Sequence, residues 1–263
     1  MKKPVILLIH GYPFDRTLWF PVITALGTKV HVLMPDVPGF GNAPVLPLEP
    51  SIDHYAHEMV RFLDASSIGK AVIAGMSMGG YIALALAEHY PNRVAGLALI
   101  STQAASDSDE ARSNRLNLVK KIETIGTSAA YQAILPKMFT DQNSSNPDFT
   151  DPLFQGTEKA GVPGLTWALK AMAARPDRSA VLKNLTVPVL VLHGEEDKII
   201  PIQKAREMSA LAGEGHFTAI KNCGHCSPME APDALAMNLL KLARVAFRPH
   251  LPQEPVPSNE SKE

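Results

Sequence analysis

A serine flanked by glycines stands between an apolar run and an amphipathic segment. The string Gly75-Met76-Ser77-Met78-Gly79 has the form G-x-S-x-G and directly follows the apolar run Ala71–Ala74. A serine on a tight strand-to-helix turn is pushed out of the sheet edge, and flanking glycines leave room for neighbouring backbone. The N-terminus of the next helix directs N–H groups toward the same point, which favours an oxyanion. The pattern predicts Ser77 as a nucleophile and the N–H of Met78 as an oxyanion donor.

A serine hydroxyl is a weak nucleophile and needs a base that a third group orients. The turn Gly194-Glu195-Glu196-Asp197 follows the apolar run Val187–Leu192, and Gly224-His225 follows the run Phe217–Ile220. Parallel strands carry both turns to the edge of the sheet that presents Ser77. The first turn therefore predicts the acid of a catalytic triad, and the second predicts His225 as its base. His193, directly before Gly194, is expected to be a strand-end residue.

The string His10-Gly11-Tyr12-Pro13 follows the first apolar run, Val5–Ile9. A backbone N–H in a loop at this position can complete an oxyanion hole with the N–H of Met78. We assign that donor to Tyr12, whose side chain we expect in the wall of the acyl pocket.

Short apolar runs recur between amphipathic segments and predict an α/β fold. They are nearly continuous, as strands are when helices cover both faces of a parallel sheet. Between them, Ile52–Ala65 and Tyr81–His89 have apolar residues at helical spacing. The predicted strands are Val5–Ile9, Val30–Met34, Ala71–Ala74, Val94–Ile100, Val187–Leu192 and Phe217–Ile220.

The alternation of strands and helices stops between residues 103 and 184, where a helical cap is predicted. The stretch Asp141–Pro152 is predicted to be a loop because it is rich in Asn, Ser and Pro. Residues 1–102 and 185–248 are assigned to the α/β core, and 249–263 to a disordered tail. The predicted cap helices are Asp109–Ile125, Ser128–Phe139, Leu153–Lys159, Leu165–Ala174 and Arg178–Leu185.

Composition excludes several classes of protein. The 263 residues are 46% hydrophobic and 19% charged, with a formal net charge of −1, as expected of a soluble globular protein. We expect no nucleic-acid or membrane partner and a cytoplasmic location, because there is neither a net basic field nor an apolar run of about 18 residues. Cys223 and Cys226 have C-x-x-C spacing without a second pair, so we expect unpaired thiols and no metal.

These motifs, together with Asp36-Val37-Pro38-Gly39-Phe40-Gly41, resemble the α/β-hydrolase superfamily. The resemblance is strongest to its small esterase, enol-lactonase and cofactor-free perhydrolase-like branch. It implies a mostly parallel eight-stranded sheet whose first two strands this chain lacks, helices on both faces, and an inserted helical cap. It also implies that Asp197, rather than Glu195 or Glu196, is the triad acid. Epoxide hydrolases and haloalkane dehalogenases share H-G-x-P but have an aspartate in place of Ser77.

The resulting expectation is a serine hydrolase that cleaves small carboxylic esters or lactones through an acyl-enzyme, as a monomer or homodimer without a cofactor. Phe139 and Trp167 are expected to line its pocket. The cap has Lys and Arg in about the number of its Asp and Glu, so charge is not expected to select an acidic substrate. Alternatives are a thioesterase, a perhydrolase, a carbon–carbon bond hydrolase, or a receptor that hydrolyses its ligand slowly.

Overall fold

A six-stranded sheet forms the centre of the fold. The computed structural model describes residues 3–213 and 215–248. The order across the sheet is β2-β1-β3-β4-β5-β6, and all neighbouring strands are parallel, which confirms the predicted sheet. The strands β1 to β6 are Val5–Ile9, His31–Leu33, Ala71–Met76, Val94–Ile100, Val189–Gly194 and Gly215–Ile220.

Helices cover both faces of this sheet. Helices α1 and α10 pack on one face, and α2, α3 and α8 pack on the other. Helices α4 to α7 follow one another between β4 and β5, where the helical insertion is predicted. The helices α1 to α10 are Phe20–Leu26, Ile52–Ala65, Met78–His89, Asp109–Ile125, Ser128–Met138, Pro147–Ala174, Ser179–Asn184, Ile202–Leu211, Ser227–Glu230 and Pro232–Ala246.

Burial on both faces explains the continuous apolar runs. Side chains alternate along a strand, so Leu7 and Ile9 lie in one buried core while Ile6 and Leu8 lie in the other. Neither face of β1 is open to water, and a polar residue in this strand would have no solvated side to occupy.

The insertion differs from expectation at Asp141–Pro152, which is not a loop throughout. Helix α6 begins at Pro147, because proline lacks the N–H that a first helical turn leaves unbonded. The Asn146 side chain caps this helix by accepting a hydrogen bond from the Asp148 N–H. The two helices predicted between residues 153 and 174 form one element, broken at Gly161 with φ of 61°.

The limits assigned to core and cap stay predictions, and the tail 249–263 lies outside the described residues. Within 3–213 and 215–248, no helix combines the length and the apolar character needed to cross a bilayer.

The strand order reverses between β1 and β3, and the chain is tightly packed there. A Cβ atom on Gly75 would lie 2.0 Å from the Gly79 carbonyl oxygen, and one on Gly79 would lie 2.1 Å from the Ile9 oxygen. The start of α3 therefore rests directly on β1 and β3. Ligands bind at such reversal points, at the carboxyl ends of the strands.

This packing predicts that Gly75→Ala lowers the free energy of unfolding by about 1–3 kcal/mol or more, because the new methyl group meets backbone that cannot yield. Gly69→Ala is the matched control, since a Cβ there meets nothing within 4 Å. Urea denaturation of both variants measures the difference, and equal stability would contradict the packing argument.

Candidate active site

Ser77 occupies the turn between β3 and α3 in a strained conformation. Its φ of 52° and ψ of −114° lie outside the regions that residues with a side chain prefer. The Ser77 N–H donates to the Ile100 oxygen at 2.9 Å, and its carbonyl accepts from the Thr102 hydroxyl at 2.8 Å. These bonds to the end of β4 hold the turn and direct the hydroxyl away from the sheet.

The structure brings Ser77, His225 and Asp197 into one hydrogen-bonded chain. His225 Nε2 lies 2.9 Å from Ser77 Oγ, and His225 Nδ1 lies 2.8 Å from Asp197 Oδ2. Because ionised Asp197 can only accept, Nδ1 carries the proton and Nε2 is free to accept from the serine hydroxyl. Glu195 and Glu196 are exposed, so Asp197 is the acid of its turn that contacts the imidazole.

Asp197 is held ionised by groups on every side. Oδ1 accepts the N–H groups of Ile199 at 2.8 Å and Ile200 at 3.0 Å. Burial alone raises the pKa of Asp197, but the electrostatic attraction of the His225 and His193 imidazoles and their hydrogen bonds outweigh it and hold the pKa well below its usual range. The carboxylate is thus a fixed anchor for the imidazole.

His193 is a strand-end residue, as expected, but it also contacts the acid, which sequence reasoning missed. Its ring is fully buried, and Nε2 donates to the Ile200 carbonyl at 2.8 Å while lying 3.1 Å from Asp197 Oδ2. The remaining nitrogen, Nδ1, is buried without a hydrogen-bond partner among the described residues. The only signal in the sequence is its spacing, four residues before Asp197.

The loop after β1 lies against the serine turn. A Cβ on Gly11 would lie 3.1 Å from the Met76 carbonyl oxygen and 3.2 Å from Ser77 Cβ, closer than most Cβ contacts, so this packing favours glycine. Tyr12 follows directly. Within the described residues, neither the Tyr12 nor the Met78 N–H donates to a carbonyl in the turns and loops, so both remain available to a ligand.

His10 fixes the conformation of this loop. It is fully buried; Nε2 accepts the Val37 N–H at 2.9 Å, and Nδ1 donates to the Gly11 carbonyl at 3.0 Å. Accepting at Nε2 requires a neutral ring. Burial lowers the pKa of His10, which favours that neutral form.

Glu230 bonds to both the loop that carries His225 and the helical insertion. Its Oε2 accepts the Gly224 N–H at 2.8 Å, next to His225, and its Oε1 accepts the Thr140 N–H at 2.8 Å and the Asn143 amide at 3.0 Å. This carboxylate therefore couples the position of His225 to the segment between α5 and α6. No motif in the sequence indicates it.

A cavity of about 1130 Å³ opens above Ser77 and His225. Helices α4, α5 and α6 form its walls, and Tyr12 lines it as expected. Its apolar lining includes Leu118, Ile134, Met138, Leu169 and Met172.

The sequence model of the alpha/beta hydrolase fold family matches residues 4–232. This chain belongs to that family, which confirms the resemblance seen in its motifs. Among solved structures, a thermophilic esterase from Thermogutta terrifontis is 31% identical with a TM-score of 0.89, over 94% of this chain and 92% of that one.

Two curated relatives of this hydrolase differ in their named activities. Monoacylglycerol lipase ABHD6 of Bos taurus is 25% identical over 90% of this chain and 74% of its own length. 2-Hydroxymuconate semialdehyde hydrolase of Pseudomonas sp. (strain CF600) is 26% identical over 86% of this chain and 81% of its own length. Family membership thus establishes a hydrolase and leaves the bond that it cleaves to be inferred.

The structure does not place Trp167 or Phe139 on the cavity wall of this hydrolase. Trp167 packs against Tyr55, with ring centroids 4.5 Å apart, and its indole N–H donates to the Leu48 carbonyl at 3.1 Å. Trp167 precedes Leu169, which lines the cavity, by two residues. Side chains two residues apart point to nearly opposite sides of a helix, so Trp167 faces away from the cavity. Phe139 lies just past the end of α5 and is fully buried in the core on the α1 and α10 side.

Cys223 and Cys226 are buried, unpaired thiols, as expected. Burial raises the pKa of both, so they stay protonated and behave as small apolar side chains. In the part of the chain that the structure describes, no group of three or more His, Cys, Asp or Glu could hold a metal ion.

The buried neutral His10 predicts a pH-dependent stability. An unfolded histidine binds a proton below pH about 6.5, whereas folded His10 resists protonation. The free energy of unfolding therefore falls as the pH drops below that value, by up to about 1.4 kcal/mol per pH unit for each such group. His10→Gln should remove this share of the slope, because glutamine can still accept the Val37 N–H. Urea denaturation between pH 5 and 8 measures it.

The control is His31→Gln, which changes an exposed histidine and should keep the slope of the parent protein. If His10→Gln also keeps that slope, His10 is protonated in the folded protein and the assigned tautomer is wrong.

Proposed function

We propose that this protein is a serine esterase that cleaves carboxylic esters, lactones included, through an acyl-enzyme. The observation that carries the proposal is the unbroken hydrogen-bonded chain from Ser77 through His225 to Asp197 at the floor of a large cavity. The similarity to an esterase at 31% identity over almost the whole chain supports it.

In the first half of the reaction, Ser77 Oγ attacks the ester carbonyl carbon while His225 Nε2 takes its proton. The carbonyl oxygen becomes an oxyanion, which the free N–H groups of Tyr12 and Met78 stabilise. The tetrahedral intermediate then collapses, the carbon–oxygen bond to the alcohol breaks, and the alcohol leaves with the proton from His225. Asp197 keeps the imidazole oriented and stabilises its charged form.

In the second half, a water molecule attacks the acyl-enzyme while His225 accepts its proton. Collapse of the second tetrahedral intermediate releases the acid and returns the proton to Ser77. Helices α4 to α6 act as the cap in this scheme, because their side chains separate the reacting carbonyl from bulk water and bound the space for the acyl group.

Hydrolysis of a carbon–carbon bond is the second candidate, favoured by the similarity to 2-hydroxymuconate semialdehyde hydrolase. The same serine and histidine can serve both reactions, so substrate panels must separate them. A dienoic keto-acid tested beside simple esters would decide, and faster turnover of the keto-acid would overturn the esterase proposal.

The esterase proposal predicts that Ser77→Ala lowers kcat on a p-nitrophenyl ester by up to ~10⁶ and that Asp197→Asn lowers it by ~10⁴. The asparagine keeps the shape of the acid but cannot stabilise the charged imidazole. Steady-state kinetics measures both losses, and circular dichroism verifies that the variants are folded.

Glu196→Gln is the matched control, because it removes a carboxylate from the same turn without touching His225. Its kcat should stay near that of the parent protein. A large loss in this variant with little loss in Asp197→Asn would show that the acid is wrongly assigned.

A further inference from the structure

Arg115 places a positive charge on the cavity wall near the reacting groups. Its side chain is only 25% exposed and lines the cavity together with Tyr12 and Tyr81. Its Nε bonds to Asp107, which also pairs with Arg175, and the Arg175 guanidinium lies 4.0 Å from the centroid of the Tyr81 ring. Tyr12 directly follows Gly11, which packs against Ser77, and Tyr81 lies one turn along α3 from Ser77. The guanidinium is therefore at the Ser77 end of the cavity.

The hydrogen bonds of Arg115 leave part of its guanidinium unused. Nε donates to Asp107 Oδ2 at 2.7 Å, and Nη1 has only the weakly accepting thioether of Met172 at 3.6 Å. Within residues 3–213 and 215–248, Nη2 has no hydrogen-bond partner in the protein, although it is not sealed from solvent. A guanidinium carries five N–H donors, so several remain for a ligand.

The charges around Arg115 do not cancel. Asp107 also pairs with Arg175 Nη1 at 2.8 Å, so a single carboxylate is shared by two guanidinium groups. Arg175 is only 2% exposed and lies over the Tyr81 ring, 4.0 Å from its centroid. The excess positive charge is therefore presented to the cavity by Arg115.

The other charged side chains on the cavity wall add to this charge. Among the described residues that line the cavity, none is Asp or Glu, whereas the exposed Lys121 and Lys137 add two further cations. Nearly equal numbers of Asp or Glu and of Lys or Arg in the cap conceal this asymmetry, because none of its carboxylates is among the cavity-lining residues that the structure describes. The charge balance of the whole cap, from which no selection of an acidic substrate is expected, therefore does not describe the charge on the cavity wall.

We propose that Arg115 is an anion-binding residue and that the preferred substrate is an ester or lactone carrying a carboxylate apart from the reacting carbonyl. This inference rests on the proposed esterase function, since it names the substrate class of the same site. A carboxylate can accept two N–H groups of one guanidinium, and the partly enclosed cavity strengthens that bond relative to water. Lys121 and Lys137 would draw the anion toward the opening.

The test compares substrates that differ only in charge. On the acyl side, monomethyl adipate is paired with methyl 5-carbamoylpentanoate, in which an amide replaces the carboxylate. On the alcohol side, 4-acetoxybutanoate is paired with 4-acetoxybutanamide. Each pair is extended over chains of two to five methylene groups, and proton release gives kcat/KM.

For at least one pair, we expect the unmodified protein to prefer the anion by about 10- to 100-fold, the usual strength of a hydrogen bond to a charged group. Arg115→Gln should reduce this ratio to near one, because Asp107 keeps its bond to Arg175 and the site remains folded. Arg115→Lys, which retains the charge, should restore part of the preference. Arg112→Gln is the control, since Arg112 is exposed on the same helix and does not line the cavity.

A second measurement needs no variant. Adipate should inhibit hydrolysis of a neutral ester competitively and more strongly than adipamide, and added salt should weaken this inhibition. Equal inhibition by the two compounds would contradict the proposal even if Arg115→Gln failed to fold.

The outcomes separate this inference from the esterase proposal. Hydrolysis of the neutral esters without preference for either anion would overturn the anion site and leave the esterase intact. An anion preference that survives Arg115→Gln would overturn the assignment to Arg115. Failure to hydrolyse any ester of this panel, with Ser77 unreactive toward a fluorophosphonate, would instead overturn the esterase proposal.

Discussion

The close contact of glycine backbone at the start of α3 is the constraint on which the site depends. Because Gly75 and Gly79 have no Cβ, the first turn of α3 packs directly on β1 and β3. The chain direction must therefore change between the end of β3 and the start of α3, at the single residue Ser77. That reversal explains the positive φ of Ser77, because the bonds to the end of β4 leave it no relaxed alternative. The strain is local, and the packed sheet beneath it supplies the stability that maintains it.

The parallel sheet brings two further side chains to the turn that carries Ser77. Ser77, Asp197 and His225 follow β3, β5 and β6, so their side chains meet only because all strands end at the same edge. An ionised carboxylate as buried as Asp197 would be very costly without partners, but two N–H groups and two imidazoles surround it. The same bonds that make its charge tolerable also fix the direction in which His225 points.

The sequence allowed the sheet, the serine turn and the three residues of the hydrogen-bonded chain to be predicted, because backbone rules govern each of them. Continuous apolar runs follow from burial on both faces, and the glycines follow from steric contact. The role of His193, the bridge made by Glu230 and the burial of Trp167 depend on how side chains from distant segments meet. Helical spacing shows which residues share a face, but it does not show whether that face meets the cavity or the core.

The helical insertion is connected to the sheet domain through the carboxylate of Asp107, which pairs with both Arg115 and Arg175. Asp107 precedes α4 and Arg175 follows α6, so their ion pair closes the base of the insertion, where Arg175 also stacks on Tyr81 of α3. A buried ion pair contributes little net stability, because desolvation offsets most of the attraction. Its effect here is positional. It fixes Arg115, which lines the cavity, relative to α3, the helix that begins directly after Ser77.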